Sequence, residues 1–336
     1  MKIGIVNSSS FGKYFPEHLE RLSRLGEWER FSVEKNIDGK SLAKALQGVN
    51  FVIDSVTPHY SKEFFEENKS VSLIARHGIG VNNVEVESAT EAGVLITRVP
   101  GEMERDAVAE HTLALLLQVA RKINPAYQAV KEGRWKDRAK FLGIELKGKT
   151  VGVIGFGNIG SRVGEILKEG FCARVLAYDP KLEEETIVER GGKPVSLEEL
   201  LRESDIITIH ASYSPENYHM LGEREFELMK EGVIIINTAR GELIDQDALI
   251  RAIKSGKVAG VGIDVVEGEP IGAEHPLLAL DNVVIVPHIA TYTIESLKRM
   301  GDKVVEDVEK VSQGKIPEGV VNPEVLRKEN RAGLKL

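Results

Sequence analysis

Cysteine and long apolar runs are both scarce in this sequence. The 336 residues include one cysteine, Cys172, so no disulfide forms within the chain and a reducing compartment is favoured. The surrounding FCARVLAY predicts that Cys172 is buried in the core. The longest apolar stretch, near 112–120, falls short of the roughly 20 residues of a membrane-spanning helix, and MKIGIV is too short for a signal peptide. We therefore expect a cytoplasmic protein without membrane contacts.

Blocks of like charge are absent as well. The chain has 44 basic and 52 acidic side chains and a formal net charge of −8, spread along its length. This distribution argues against a nucleic-acid partner. The length is typical of two domains, and a 42% apolar composition is enough for large cores.

Strand-like and helix-like segments alternate along the whole chain, which predicts an α/β protein with parallel sheets. In the first part, the predicted strands are 2–6, 51–56, 72–77 and 94–98. In the second part they are TVGVIG, RVLAYD, DIITIH, GVIIIN, VAGVGID and NVVIVP, apolar on both faces as buried parallel strands are. The polar segment 124–149 is too long for an ordinary connection, so we expect it to pack against something, including another subunit.

A glycine-rich turn follows the strand-like VGVI. Gly155, Gly157 and Gly160 form a G-x-G-x-x-G that opens a predicted helix, the pattern of a dinucleotide-binding turn. The first glycine permits the tight turn, the second lets the backbone approach a pyrophosphate, and the third lets the helix pack closely. The amides of Asn158 and Ile159 would then face the phosphates.

An acidic residue follows the next strand-like segment. Asp179 ends RVLAYD, and its separation from Gly160 matches the roughly 20 residues that precede the ribose-binding carboxylate in such domains. A carboxylate there accepts hydrogen bonds from both ribose hydroxyls and repels a 2′-phosphate, so we predict NAD rather than NADP. The alternative is a glycine turn without a ligand and an exposed aspartate before Pro180.

Further strand-like segments also end in polar side chains. Arg240 follows GVIIIN, Asp264 and Glu269 follow VAGVGI, and His288 follows NVVIVP. Ligands of open parallel sheets bind beyond the carboxyl ends of the strands, so these groups are expected to meet. A guanidinium, a carboxylate and an imidazole together can bind an anionic substrate and transfer a proton. Taken singly, each residue has an ordinary explanation as a surface arginine, a solvated loop carboxylate or a strand-capping histidine.

These motifs together are similar to those of one known family. RHGIGVNNVEV, DAVAEHTLALLL, VGVIGFGNIG, VLAYDP, NTARGELID, GIDVVEGEP and VPHIA resemble, in order and spacing, the segments of D-isomer-specific 2-hydroxyacid dehydrogenases. The resemblance implies a Rossmann-type NAD-binding domain, residues 101–290, inserted into a flavodoxin-like substrate domain made of residues 1–100 and 291–336. It also implies a homodimer, and a small 2-oxo or D-2-hydroxy acid as substrate in the cleft between the domains.

The resemblance further implies a role for each residue. His288 would exchange a proton with the substrate oxygen, Glu269 would pair with His288, and Arg240 would bind the substrate carboxylate. The amides of Ile79 and Gly80 would hold the same carboxylate, with His288 and Arg240 completing the substrate site. No metal is implied. The implied cofactor contacts are Gly155, Gly157, Asn158, Ile159, Gly160, Asp179, His210, Ala211, Thr238, Ala239, Arg240, Asp264, His288 and Ala290.

Some positions depart from the family pattern. Asn82 replaces the usual aspartate of G-x-G-V-D-N, Ala290 replaces a glycine, and Ala211–Ser214 replaces Pro-Leu-Thr. Within the family, phosphoglycerate dehydrogenase of a short form and glyoxylate or hydroxypyruvate reductase stay open, whereas Glu269 disfavours formate dehydrogenase, which has glutamine there. A second class, corepressors that sense NADH through the same fold, shares the Arg–Glu–His set and is the less favoured alternative.

Overall fold

The computed structural model describes residues 1–327 and 329–334. It divides into two compact units, Met1–Glu104 with Tyr292–Leu336, and Arg105–Thr291. Lys328, Lys335 and Leu336, which belong to the predicted 291–336 segment, lie outside the described residues.

The first unit contains a parallel sheet of five strands among the described residues. The spatial order is β2-β1-β3-β4-β5, which is the flavodoxin order and places the carboxyl ends of β3 and β4 side by side. The strands are β1 Lys2–Val6, β2 Glu27–Phe31, β3 Phe51–Asp54, β4 Leu73–Arg76 and β5 Leu95–Thr97.

Helices cover both faces of this sheet. Two apolar clusters form its core, one of them including the buried face of the last helix and the other packed under the second, third and fourth helices. Since β3 and β4 are buried along their whole length, the apolar runs that predicted them are explained by burial on both faces. The helices are α1 Glu17–Ser23, α2 Gly39–Ala45, α3 Lys62–Glu67, α4 Val86–Glu91 and α12 Ile294–Ser312.

The second unit contains a parallel sheet of seven strands among the described residues. Its order, β12-β11-β10-β9-β6-β7-β8, reverses between β6 and β9, as in a Rossmann sheet. The predicted α/β class with parallel sheets is therefore confirmed. The strands are β6 Thr150–Ile154, β7 Arg174–Tyr178, β8 Lys193–Pro194, β9 Ile206–Ile209, β10 Val233–Asn237, β11 Val258–Ile263 and β12 Val283–Ile285.

The helices of the second unit pack on both faces of its sheet and bury two apolar clusters. Among the described residues, no helix of either unit combines the length and apolar character needed to cross a bilayer. The helices are α5 Arg105–Ala120, α6 Ile123–Lys131, α7 Asn158–Phe171, α8 Glu184–Glu189, α9 Leu197–Glu203, α10 Glu223–Leu228 and α11 Gln246–Lys254.

One sequence prediction, the burial of Cys172, is wrong. α7 continues to Phe171, and Cys172 forms its C-terminal cap in the left-handed region, at φ 54°, where its side chain is exposed. The core position belongs instead to Ala173, the next residue along the chain. The predicted strands also omit β2, whose EWERF pattern is mostly exposed at the edge of its sheet.

Candidate active site

The glycine-rich turn connects β6 to α7 at the point where the strand order reverses. Gly155 has φ 85°, and a Cβ on it would lie 2.5 Å from the Ala211 nitrogen, so only glycine fits between the loops that follow β6 and β9. A Cβ on Gly160 would lie 2.0 Å from the Gly155 carbonyl oxygen, so α7 begins in contact with the turn. By contrast, a Cβ on Gly157 would meet no described heavy atom within 4 Å. The turn therefore has an open face at Gly157, beside the N-terminus of a 14-residue helix.

Asp179 follows β7 and is tied to the same turn. Its Oδ2 accepts a hydrogen bond from the Phe156 amide at 2.9 Å, and its Oδ1 accepts one from the Lys181 amide at 2.9 Å. The carboxylate is therefore held beside the glycine-rich turn, the place expected for a ribose-binding group. Each oxygen keeps a second lone pair, so these bonds do not prevent contact with ribose hydroxyls.

The loop after β9 approaches the turn from the other side. His210 Nε2 lies 2.8 Å from the Thr208 hydroxyl, and burial lowers the pKa of the His210 ring to about 3. The imidazole is therefore neutral at physiological pH. Ala211 is half-buried next to it and packs against the apolar cluster of the unit.

His288 and Glu269 lie together, although they are well separated along the chain. His288 Nδ1 is 2.5 Å from Glu269 Oε1, and Glu269 Oε2 accepts a bond from the Val266 amide at 3.2 Å. Burial would by itself raise the pKa of Glu269, but the bond and charge of His288, the Val266 amide and the charge of Arg240 lower it overall. Glu269 is therefore ionised at neutral pH, with its orientation fixed by two partners.

The backbone at His288 is in the left-handed region, with φ 53°. The His288 amide donates to the Asp264 carbonyl oxygen at 2.9 Å, and the Asp264 carboxylate accepts from the Ile289 amide at 2.7 Å and the Ala290 amide at 2.9 Å. Asp264 is only 1% exposed. Its carboxylate thus holds the backbone on the C-terminal side of the imidazole.

Arg240 lies in the turn that follows β10. Asn237, the last residue of β10, accepts a bond from the Ala239 amide at 2.9 Å and donates to the Arg240 carbonyl oxygen at 2.8 Å. The next residue, Gly241, lies so close to the backbone of Glu267 that a Cβ on it would be 2.1 Å from the Glu267 nitrogen. The segments that contain Arg240 and Glu269 are therefore in contact, and Arg240 acts electrostatically on Glu269.

Thr238 belongs to the same turn as Arg240. Its hydroxyl lies 2.9 Å from the Thr112 hydroxyl of α5, and both side chains are at most 9% exposed. This bond fixes the start of the turn to a helix. The structure therefore brings Arg240, Glu269, Asp264 and His288 together at the carboxyl edge of one sheet, next to the glycine-rich turn.

Ile79 and Gly80 lie in the first unit, in the loop after β4. Arg76 donates to the Gly80 carbonyl oxygen at 2.8 Å and pairs with the fully buried Asp54 at 3.3 Å. Burial, only partly offset by Arg76 and Asn83, raises the pKa of Asp54 to about 6. The buried pair shapes the loop, whose Ile79 and Gly80 are half-buried.

Some supporting residues were not identified from the sequence. Asn237, which brackets the Arg240 turn, was visible only as a polar residue that ends an otherwise apolar strand. The Arg76–Asp54 pair had no signal, since the partners come from different strands and each is an ordinary charged residue in isolation.

Comparison with known proteins gives a consistent result. A family profile described as "D-isomer specific 2-hydroxyacid dehydrogenase, NAD binding domain" matches residues 113–290. The chain is 40% identical, over 291 residues, to a glyoxylate reductase of Thermococcus litoralis, covering 85% of this chain and 87% of that protein. It is 43% identical over 260 residues to a D-3-phosphoglycerate dehydrogenase of Archaeoglobus fulgidus, covering 77% of this chain but 49% of that one, so it spans about half the length of this relative.

Solved structures give the same match at the level of the fold. The D-lactate dehydrogenase of Aquifex aeolicus, complexed with NAD and lactic acid, superimposes with a TM-score of 0.83. It is 31% identical, and the match covers 95% of this chain and 98% of that one.

Proposed function

Because the chain belongs to the D-isomer specific 2-hydroxyacid dehydrogenase family, whose members are NAD-dependent oxidoreductases acting on a CH–OH group, we propose that it interconverts a small 2-oxo acid and its D-2-hydroxy acid. The observation that carries the proposal is the 2.5 Å contact between His288 Nδ1 and Glu269 Oε1 at the carboxyl edge of the nucleotide-binding sheet. Bound NADH supplies the hydride.

In this proposal His288 is the acid of the reduction and the base of the oxidation. Its Nδ1 faces Glu269, so the ring presents Nε2 on the opposite side for the substrate oxygen. The ionised Glu269 stabilises the protonated imidazole and fixes which nitrogen carries the proton to be transferred. Proton transfer of this kind contributes about 10²–10⁴-fold to a rate.

Arg240 is proposed to bind the substrate carboxylate and polarise the adjacent carbonyl. A guanidinium matches a carboxylate in charge and in its forked geometry. Its backbone is fixed by Asn237, so the binding group is carried by a rigid turn. The half-buried amides of Ile79 and Gly80, in a loop held by Arg76, are proposed to bind the same class of anion.

The residues around the glycine-rich turn fit NAD. Gly157 leaves an open face for the pyrophosphate, with the amides of Asn158 and Ile159 at the helix N-terminus, and Asp179 stands where the ribose hydroxyls would be held. Asp179 would also repel a 2′-phosphate, which is the basis for proposing NAD over NADP. His210, Ala211, Thr238, Ala239 and Ala290 remain proposed cofactor contacts.

Glyoxylate or hydroxypyruvate is the proposed substrate, in preference to a phosphorylated acid. A phosphate would need a cation of its own, and Arg76, which ends β4 just before the loop of Ile79 and Gly80, is already occupied by Asp54 and the Gly80 carbonyl. A glyoxylate reductase, that of Thermococcus litoralis, is also among the relatives that match over most of this chain, at 40% identity over 85% of it.

A panel of 2-oxo acids, read by NADH absorbance, tests these proposals. Glyoxylate, hydroxypyruvate, pyruvate and 3-phosphohydroxypyruvate are compared, each with NADH and with NADPH. We expect turnover above about 1 s⁻¹ with one of the first two, and a preference for NADH. A highest kcat/KM for the phosphorylated acid would favour phosphoglycerate dehydrogenase instead. If no acid were turned over, the NADH-sensing alternative would gain support.

The segment between α5 and β6 is proposed to form a homodimer interface. It concentrates several exposed large apolar side chains in one segment, among them Trp135 at 70% and Leu142 at 81% exposure, as surfaces that bind another protein do. Light scattering should give the mass of a dimer, and Trp135→Asp with Leu142→Asp should give that of a monomer. Val188→Asp, on the exposed face of α8, is the matched control and should remain dimeric. A monomeric wild type would refute the proposal.

A further inference from the structure

We infer that Asp264 is a positioning residue for His288, holding the histidine backbone in place through hydrogen bonds to the two amides that follow it. The inference deepens the proposed function and rests on it, because it matters for the reaction only if His288 transfers the proton.

The first observation is the backbone conformation of His288. Its φ of 53° lies in the left-handed region, which residues with a Cβ seldom adopt. Such a conformation persists where surrounding contacts hold it in place. Since the direction of the imidazole from its Cα depends on these backbone angles, whatever holds them also aims the ring at Glu269.

The second observation is the set of bonds between Asp264 and this segment. The His288 amide binds the Asp264 carbonyl oxygen, and the Ile289 and Ala290 amides bind Oδ1 and Oδ2, at 2.7–2.9 Å. One residue therefore holds three consecutive amides, and its carboxylate holds the two that fix the C-terminal side of His288. A backbone carbonyl contact would survive any substitution of Asp264, so a side-chain variant tests the carboxylate alone.

The third observation is that the carboxylate is charged and enclosed. Burial would by itself raise the pKa of Asp264, but the contact with His111 and the amides of Ile289 and Ala290 lower it overall. His111 Nε2, on α5, lies 3.4 Å from Oδ1. Hydrogen bonds to an ionised acceptor are stronger than neutral ones, so the carboxylate is a firm anchor.

The competing role for Asp264 is direct binding of the cofactor carboxamide, as the family resemblance implies. The two roles differ in what they predict. A direct ligand affects cofactor affinity, whereas a positioning residue affects turnover after the cofactor has bound. The 1% exposure of Asp264 and the engagement of both its oxygens favour positioning.

The test measures kcat at saturating NADH and 2-oxo acid, together with the NADH dissociation constant from fluorescence titration. Asp264→Ala should lower kcat about 10²-fold, the scale of an ångström's misplacement of a reacting group. Asp264→Asn, which retains one acceptor oxygen, should recover part of that loss. In both variants the NADH dissociation constant should stay within about threefold of wild type. The D2O effect on kcat should rise, since proton transfer from a misplaced ring becomes limiting.

Asp281→Asn, at an exposed aspartate just before β12, is the matched control and should leave all three measurements unchanged. If Asp264→Ala fails to fold, Asp264→Asn carries the test, with melting temperature as the check on folding. The inference is wrong if Asp264→Ala, or Asp264→Asn where Asp264→Ala does not fold, has a kcat within about threefold of wild type at saturating NADH. His288→Ala is measured alongside. A normal rate in His288→Ala overturns the proposed function, whereas a low rate there with a normal rate in the Asp264 variant overturns only the positioning role.

Discussion

The second unit contains two histidine–glutamate pairs whose glutamates lie in one short loop. His288 Nδ1 lies 2.5 Å from Glu269, and His219 Nε2 lies 2.9 Å from Glu267 in the same loop. Both histidines have a left-handed backbone, and both histidine side chains are 30% exposed. By distance, burial and conformation, the two pairs are nearly the same.

Their surroundings differ. Glu267 also accepts a bond from the Tyr218 hydroxyl at 2.8 Å, and the Tyr218 and His219 rings stack with centroids 3.8 Å apart. His219 therefore uses Nε2 and one ring face within its own cluster. His288 pairs through Nδ1, at the carboxyl edge of the sheet, and its glutamate is under the influence of Arg240. The His288–Glu269 pair is therefore the candidate for catalysis for two reasons. Its ring presents Nε2 on the side away from the glutamate, and the charge of Arg240 acts on the pair.

The largest expected difference between the pairs is in turnover. His288→Ala should lower kcat by about 10²–10⁴-fold, because no other group is proposed to protonate the substrate oxygen. His219→Ala should keep kcat within about threefold of wild type. Both are measured with the best 2-oxo acid at saturating NADH, with NADH affinity as a check that the cofactor site is intact. Equal losses in the two variants would remove the distinction between the pairs.

A smaller difference is expected in the pH dependence. The lowered pKa of Glu269 keeps it charged across the neutral range, where it stabilises positive charge on the His288 ring. In Glu269→Gln this charge is lost at every pH, so kcat for reduction should drop roughly 10-fold or more at neutral pH. In the wild type the charge is lost only as the pH falls through the lowered pKa of Glu269, so the difference in kcat between the two proteins should narrow at acid pH. Glu267→Gln should follow the wild-type pH profile, and the same change in both variants would mean that the two glutamates do not differ in role.

Much of the fold and part of the candidate site could be predicted from the sequence, because the patterns that indicate them are local. Apolar runs predicted every strand of the two sheets except the edge strands β2 and β8, and the glycine-rich turn needs Gly155 and Gly160 for reasons visible in the motif itself. The sequence could not show that Asp264 holds the backbone after His288, because contacts between distant segments of one chain leave no local pattern. The prediction that Cys172 is buried was wrong for a different reason. α7 ends on a left-handed residue that is not glycine, so the sequence carried no signal for the end of the helix.

The smallest expected difference between the pairs is in stability, where they should be alike. Their side chains are 26–35% exposed, so solvent screening limits each pair to about 0.2–1 kcal/mol in a double-mutant cycle of urea unfolding at pH 7. For Glu269 the pKa gives the direction in which its contribution to stability changes with pH. Its pKa in the folded protein is lowered, so its contribution is present above the ordinary value of 4.5 and is lost as the pH falls through the folded value. A cycle repeated below that range should therefore give a smaller coupling for His288–Glu269 than at pH 7. A coupling energy well above about 1 kcal/mol in only one pair would contradict this expectation. It would mean that the two pairs already differ in their contribution to stability, and not only in their effect on turnover.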